Sequence, residues 1–120
     1  MDELKAKVLA EIDSRRRQLE ALSLKIHSNP ELGFEEHQAQ GWLTRYLEEA
    51  GFLIELGICE LPTAFRASYG SGKPAIAILA EYDALPQIGH ACGHNLIATA
   101  AVSAATASKP AVDRFGGSLL

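Results

Sequence analysis

The 120-residue sequence predicts an α/β fold, a sheet with helices on each side, and three observations carry that expectation. Through residues 4–50 apolar residues recur at steps of three, four and seven, the spacing of a helix stripe. From residue 52 the apolar segments shorten and are bounded by glycine and proline, the pattern of strands. The last of them, Ala75-Ile76-Ala77-Ile78-Leu79-Ala80, has no polar alternation, which predicts a strand covered on both faces.

Leu4, Val8, Ile12, Leu19, Leu22 and Ile26 form the stripe of a first helix, with Asp2 placed to cap its start. The helix ends at His27-Ser28-Asn29-Pro30, because the Pro30 ring disfavours helical geometry at Asn29 and has no amide hydrogen to donate. A second helix follows Gly33. It carries Ala39, Trp42, Leu43, Tyr46, Leu47 and Ala50 on one side, and Glu35, Glu36, Arg45, Glu48 and Glu49 mostly on the other; Gly51 stops it. Strands are predicted over 52–56, 63–68 and 75–79, with the turn-rich Tyr69-Gly70-Ser71-Gly72-Lys73-Pro74 before the third. After an irregular stretch over 81–93, the small residues of 97–107 suit a helix packed closely on a sheet. Gly116-Gly117-Ser118-Leu119-Leu120 has the form of a turn launching a new strand, expected to stand as an unfinished sheet edge. With no internal repeat, residues 1–120 read as one segment of a larger, apparently truncated α/β catalytic domain, with no second domain.

Composition narrows the function. A chain 48% hydrophobic and 22% charged can bury a core. Eleven Lys+Arg against fifteen Asp+Glu, a formal net charge of -4, argue against nucleic-acid binding, since phosphate contacts need a basic surface. The one basic cluster, Arg15 to Arg17, is flanked by Asp13 and Glu20 and reads as a solvated helix face. No apolar run approaches the roughly 18–20 residues of a bilayer span, and Met1 to Ala10 alternates charged with apolar residues, unlike a signal peptide. A cytoplasmic protein without a membrane partner is expected. Cys59 and Cys92 cannot build the disulfide framework of a small secreted domain, so each is a buried thiol or a ligand.

The stretch from Glu81 to Asn95 is richest in chemistry. It follows the most apolar strand, where an open α/β sheet places its ligand crevice. Cys92 and His94 stand two apart, so an extended backbone aims a thiolate and an imidazole to one side; zinc accepts both, at about 2.3 Å for sulfur and about 2.0 Å for nitrogen. Spacing alone leaves open a buried thiol beside a hydrogen-bonded histidine, and also a nucleophilic Cys92 activated by His90 or His94. Asp83 reads either as support for a metal ligand or as a turn-capping carboxylate before Pro86. His27 and His37 read as structural or solvated, and Cys59 as inert. Glu31, Glu35 and Glu36, around a helix start, fit compensation of the helix dipole.

These residues carry a pattern. Ile26-His27-Ser28-Asn29-Pro30-Glu31-Leu32-Gly33-Phe34-Glu35-Glu36, Pro62-Thr63-Ala64-Phe65-Arg66-Ala67, Ala80-Glu81-Tyr82-Asp83-Ala84-Leu85-Pro86 and Gly89-His90-Ala91-Cys92-Gly93-His94-Asn95 resemble, in order, the amidohydrolase branch of the aminoacylase-like metallopeptidases. That branch comprises hippurate, auxin-conjugate and aminobenzoyl-glutamate hydrolases and related dipeptidases.

The resemblance implies the N-terminal portion of a zinc-peptidase-like catalytic domain, a mixed sheet flanked by helices. It also implies two adjacent divalent ions, zinc or manganese, hydrolysing an amide next to a free carboxylate in N-acyl amino acids or dipeptides. By motif, Cys92 and His94 match metal ligands and Asp83 the acidic residue that supports the metal site. The family's glutamate pair, general base and ligand, follows the strand that here begins at Gly117; two further histidine ligands and a dimerisation domain come later, implying a homodimeric parent. None of these stands within the 120 residues. Many relatives have aspartate where Glu81 and Asn95 stand, and Glu-Tyr-Asp resembles the aminobenzoyl-glutamate and dipeptidase end of the branch. The competing reading is a non-catalytic α/β module with an incomplete metal half-site.

Overall fold

A computed structural model describes residues 2–120; Met1 lies outside the described residues. Where one long helix was expected there are two, α1 (Asp2–Ser14) and α2 (Arg16–Ser28), parted at Arg15. The cause is local. Ser14 Oγ donates to the Glu11 carbonyl at 2.7 Å, competing for a helix acceptor. Arg15 turns back to Glu11 Oε1 at 2.6 Å and lies 5.9 Å from the Tyr46 ring centre. α2 buries Leu19, Leu22 and Ile26, whereas α1 buries only Leu4. Asp2 sits inside the first turn with Glu3, where carboxylates favour the helix dipole.

The next helix, α3 (His37–Glu49), starts later than Gly33 suggested. Glu31 reaches forward to cap it, its two carboxylate oxygens accepting from the amides of Gln38 (3.0 Å) and Ala39 (2.9 Å). That is the dipole-compensating role expected of it. α3 ends at Gly51, whose φ of 93° lets the Phe52 amide turn back to the Leu47 carbonyl.

Strands β1 (Leu53–Leu56), β2 (Phe65–Gly70), β3 (Ala75–Ile76) and β4 (Ser118–Leu119) form one mixed sheet in the order β1-β2-β4-β3. β1 and β4 each run antiparallel to β2, and β3 runs parallel to β4. The strand expected at an unfinished edge is therefore interior, and the edge belongs to β3. A Cβ on Gly117 would lie 2.9 Å from the Pro74 carbonyl oxygen, so only glycine fits where β4 enters between its neighbours.

β3 differs from expectation in length and in cover. The backbone continues its pairing through Ile78 and Leu120, yet Ile76 is 55% and Leu79 83% exposed. The segment has one partner strand among the described residues, and beside it opens an apolar cavity of about 400 Å³ lined in part by Phe52, Phe65, Ile78, Val102, Ala105 and Leu120. Its apolar composition thus records a surface able to be covered, which these residues do not cover.

Helix α4 (His94–Phe115) is twice as long as the small-residue run suggested. It lays Ala98, Val102 and Ala105 into a core shared with Leu22, Ile26, Leu43, Tyr46, Leu47 and Leu119. Asn95 fastens it to α2 through Ser23 Oγ at 3.0 Å. No described helix is long and apolar enough to cross a membrane.

Candidate functional site

The site is assembled where the segment after β3 meets the start of α4. The Ala84 amide bonds the Glu31 carbonyl at 2.7 Å, fixing this segment to the loop before α3. Leu85 and Gly89 then exchange backbone hydrogen bonds at 2.9 and 3.1 Å, which closes a tight loop and returns the chain to His90. Gly93, at φ 76°, stands just before α4 and makes His94 the helix's first residue.

His94 is held from both sides. Its Nδ1 lies 2.7 Å from Asp83 Oδ1 and 3.1 Å from the Asp83 carbonyl oxygen, and its Nε2 lies 3.2 Å from Glu81 Oε2. With Nδ1–H donated to Asp83, Nε2 is the nitrogen left to bind a proton or a metal ion. Asp83 therefore fixes the orientation of the His94 ring through both its side chain and its carbonyl. Tyr82, between the two acids, points away: its hydroxyl donates to the Thr63 carbonyl and its ring stacks on Phe65 at 5.8 Å.

Cys92 is not the buried thiol that spacing alone leaves open. It is exposed in the turn before α4, and the polar partners of His94 are Asp83 and Glu81. Cys59 is exposed as well, so neither cysteine is a buried thiol. Among the described residues no three His, Cys, Asp or Glu side chains converge closely enough to hold a metal ion. The donor chemistry fits a divalent cation at His94 as part of a centre, with Asp83 orienting the ring.

His90 is buried, and its Nδ1 has no hydrogen-bond partner among the described residues. Burial lowers its pKa, and the nearby imidazoles of His27 and His94 lower it further. His27, exposed at the end of α2, has its ring 6.3 Å from that of His90; His37 is solvated at the start of α3, as expected.

Sequence reasoning missed one buried network. Glu36, expected on a solvated helix face, is 9% exposed and accepts from Thr63 Oγ1 at 2.7 Å. Burial, with the Glu36 charge adding to it, pushes the Tyr82 hydroxyl up to about 12. Gln40 donates from Nε2 to the carbonyls of Pro62 (2.9 Å) and Ala64 (3.0 Å), holding the same loop. Nothing in the local sequence separates Glu36 from Glu35; only the return of residues 61–64 over the start of α3 does.

No protein-family model matches the chain. The chain is 44% identical over 121 residues to a Xaa-Arg dipeptidase of Mus musculus, covering 92% of this chain and 28% of that protein. It is 38% identical over 122 residues to a p-aminobenzoyl-glutamate hydrolase polypeptide of Escherichia coli, covering 88% of this chain and 25% of that one. A crystal structure of an aminohydrolase from methicillin-resistant Staphylococcus aureus superposes with a TM-score of 0.80 at 23% identity, over 95% of this chain and 33% of that chain, a likeness of fold. The chain spans about a quarter of the length of the curated relatives it matches. Fold, motif order and relatives agree that this chain belongs to the amidohydrolase family that contains the Xaa-Arg dipeptidases and aminobenzoyl-glutamate hydrolases.

Proposed function

We propose that residues 1–120 are a segment of the catalytic domain of a metal-dependent amidohydrolase that cleaves amide bonds in N-acyl amino acids or dipeptides. The observation that carries this reading is the Asp83–His94 pair, in which a carboxylate fixes one ring nitrogen and leaves the other for a cation. The names of the relatives, a Xaa-Arg dipeptidase and an aminobenzoyl-glutamate hydrolase, support an amide beside an amino-acid carboxylate as the substrate class.

In this reading His94 and Cys92 are metal ligands and Asp83 supports the site. The full centre takes two divalent ions, zinc or manganese. A cation bound there supplies Lewis acidity to a carbonyl and lowers the pKa of a bound water from about 15.7 toward about 7. The chain's own contribution is orientation: Asp83 keeps the proton on Nδ1, and α4 carries the ring on a rigid element packed against the core. A thiolate donor at Cys92 favours zinc over magnesium and makes the site sensitive to oxidation. A cytoplasmic location, no membrane or nucleic-acid partner and a homodimeric parent complete the proposal.

A second reading, a non-catalytic module with a metal half-site, is favoured by one observation: fewer than three ligand side chains converge among the described residues. Assay of the full-length polypeptide that carries residues 1–120, with zinc or manganese, on N-acyl amino acids and dipeptides, separates the two. Turnover abolished by a chelator supports the hydrolase, and metal binding without turnover supports the module. Turnover that survives a chelator but is lost to thiol alkylation contradicts both and assigns the chemistry to Cys92.

A further inference from the structure

The two carboxylates that face His94 do so at different distances. Asp83 Oδ1 lies 2.7 Å from Nδ1, the length of a charge-assisted hydrogen bond. Glu81 Oε2 lies 3.2 Å from Nε2, longer than such bonds normally run. Two ligand atoms each about 2.0–2.1 Å from one cation, at a near-tetrahedral angle, stand about 3.3 Å apart. The observed Nε2–Oε2 separation is thus close to that of two donors sharing one cation, while Nδ1 is already engaged by Asp83.

We propose that Glu81 is a direct metal ligand, its Oε2 and the Nε2 of His94 gripping one divalent cation. The inference rests on the metal-dependent reading above and adds a donor to it. Alternation along the extended segment after β3 supports the assignment. Glu81 and Asp83, two residues apart, face His94, while Tyr82 is anchored the opposite way on Thr63 and Phe65. One acid orients the ring and the other donates to the ion. The Glu81 side chain is 62% exposed, so the ion's remaining positions are open to water or substrate, and a substitution there leaves the core intact.

The test is calorimetric titration of zinc chloride, and separately manganese chloride, into the 120-residue chain and its Glu81→Gln, Glu81→Asp and His94→Ala variants. Imidazole nitrogen chemical shifts are followed by NMR, and thermal melts confirm folding. The expected result is at least a tenfold weaker affinity in Glu81→Gln, partial recovery in Glu81→Asp, loss in His94→Ala, and a shift of His94 Nε2 on adding zinc. Equal affinity of Glu81→Gln and the parent chain overturns the assignment of Glu81 and leaves the metal-dependent reading in place. Absence of any binding or His94 shift in the parent chain overturns both the assignment of Glu81 and the reading of His94 as a metal ligand. Unfolding of Glu81→Gln would move the comparison to Glu81→Asp, where undiminished affinity together with an unshifted carboxylate resonance again overturns the assignment.

Discussion

Asp83 and His94 are joined twice, through the Asp83 side chain at 2.7 Å and its carbonyl at 3.1 Å, so the imidazole is fixed both in tautomer and in angle. The partner that does the fixing lies eleven residues before the ring, on the segment leaving β3, and the ring opens α4. Replacing Asp83 by Asn keeps the shape but removes the charge that holds Nδ1–H. The expected outcome is a metal affinity lower by about 10–100-fold, measured by competition with a chromophoric chelator. Affinity unchanged in that variant would return Asp83 to the role of a turn cap.

The Glu36–Thr63 contact makes a stability prediction. Thr63→Val preserves volume and removes the hydroxyl that serves a buried carboxylate. A loss of about 1–3 kcal/mol in urea unfolding is expected, because the acceptor stays buried without its donor. No change in the midpoint would mean that water replaces the hydroxyl without penalty.

Tyr82 gives the chain an alkaline limit. Its hydroxyl ionises near 10.0 in the unfolded chain and at about 12 in the folded one, through burial first and the Glu36 charge second. The folded state therefore disfavours the phenolate. The contribution is fully present below pH 10 and is lost as the pH rises from 10 to 12. Tyr82→Phe should flatten this part of the stability profile in pH-dependent melts, whatever it does to stability at neutral pH; an unaltered slope counts against it.

Leu43 is fully buried at the centre of the contiguous core. Leu43→Ala should cost about 2–5 kcal/mol, read from denaturant midpoints at constant slope. A smaller loss would show that α3 relaxes into the vacated space.

The uncovered apolar edge of β3 predicts self-association. Ile76 is exposed on a strand with a free side, and light scattering should show oligomers growing with concentration. Ile76→Lys should return the chain toward a monomer; a monodisperse parent chain at high concentration would contradict this.

Much of this molecule is legible from spacing, and what is not has identifiable causes. The stripes of α2 and α3, the glycine stop at Gly51 and the loop that holds Asp83 and His94 follow from periodicity and motif. The parting at Arg15 does not, because it depends on which carbonyl the Ser14 hydroxyl takes. Nor does the place of β4: its pairing with β2 joins residues about fifty positions apart, and sequence order says nothing of an insertion between β2 and β3. Glu36 looks like its neighbour until the Thr63 loop folds over it. The exposure of Cys92 is not legible either, because it depends on the turn that precedes α4 and not on the residue types around the thiol.

Whether the loop around His94 grips a cation is tested most directly by elemental analysis of zinc retained after the chain is loaded and desalted, set beside His94→Ala handled identically. Zinc that stays with the parent chain and leaves with the imidazole is the predicted result. Equal zinc in both samples, or none in either, would contradict it.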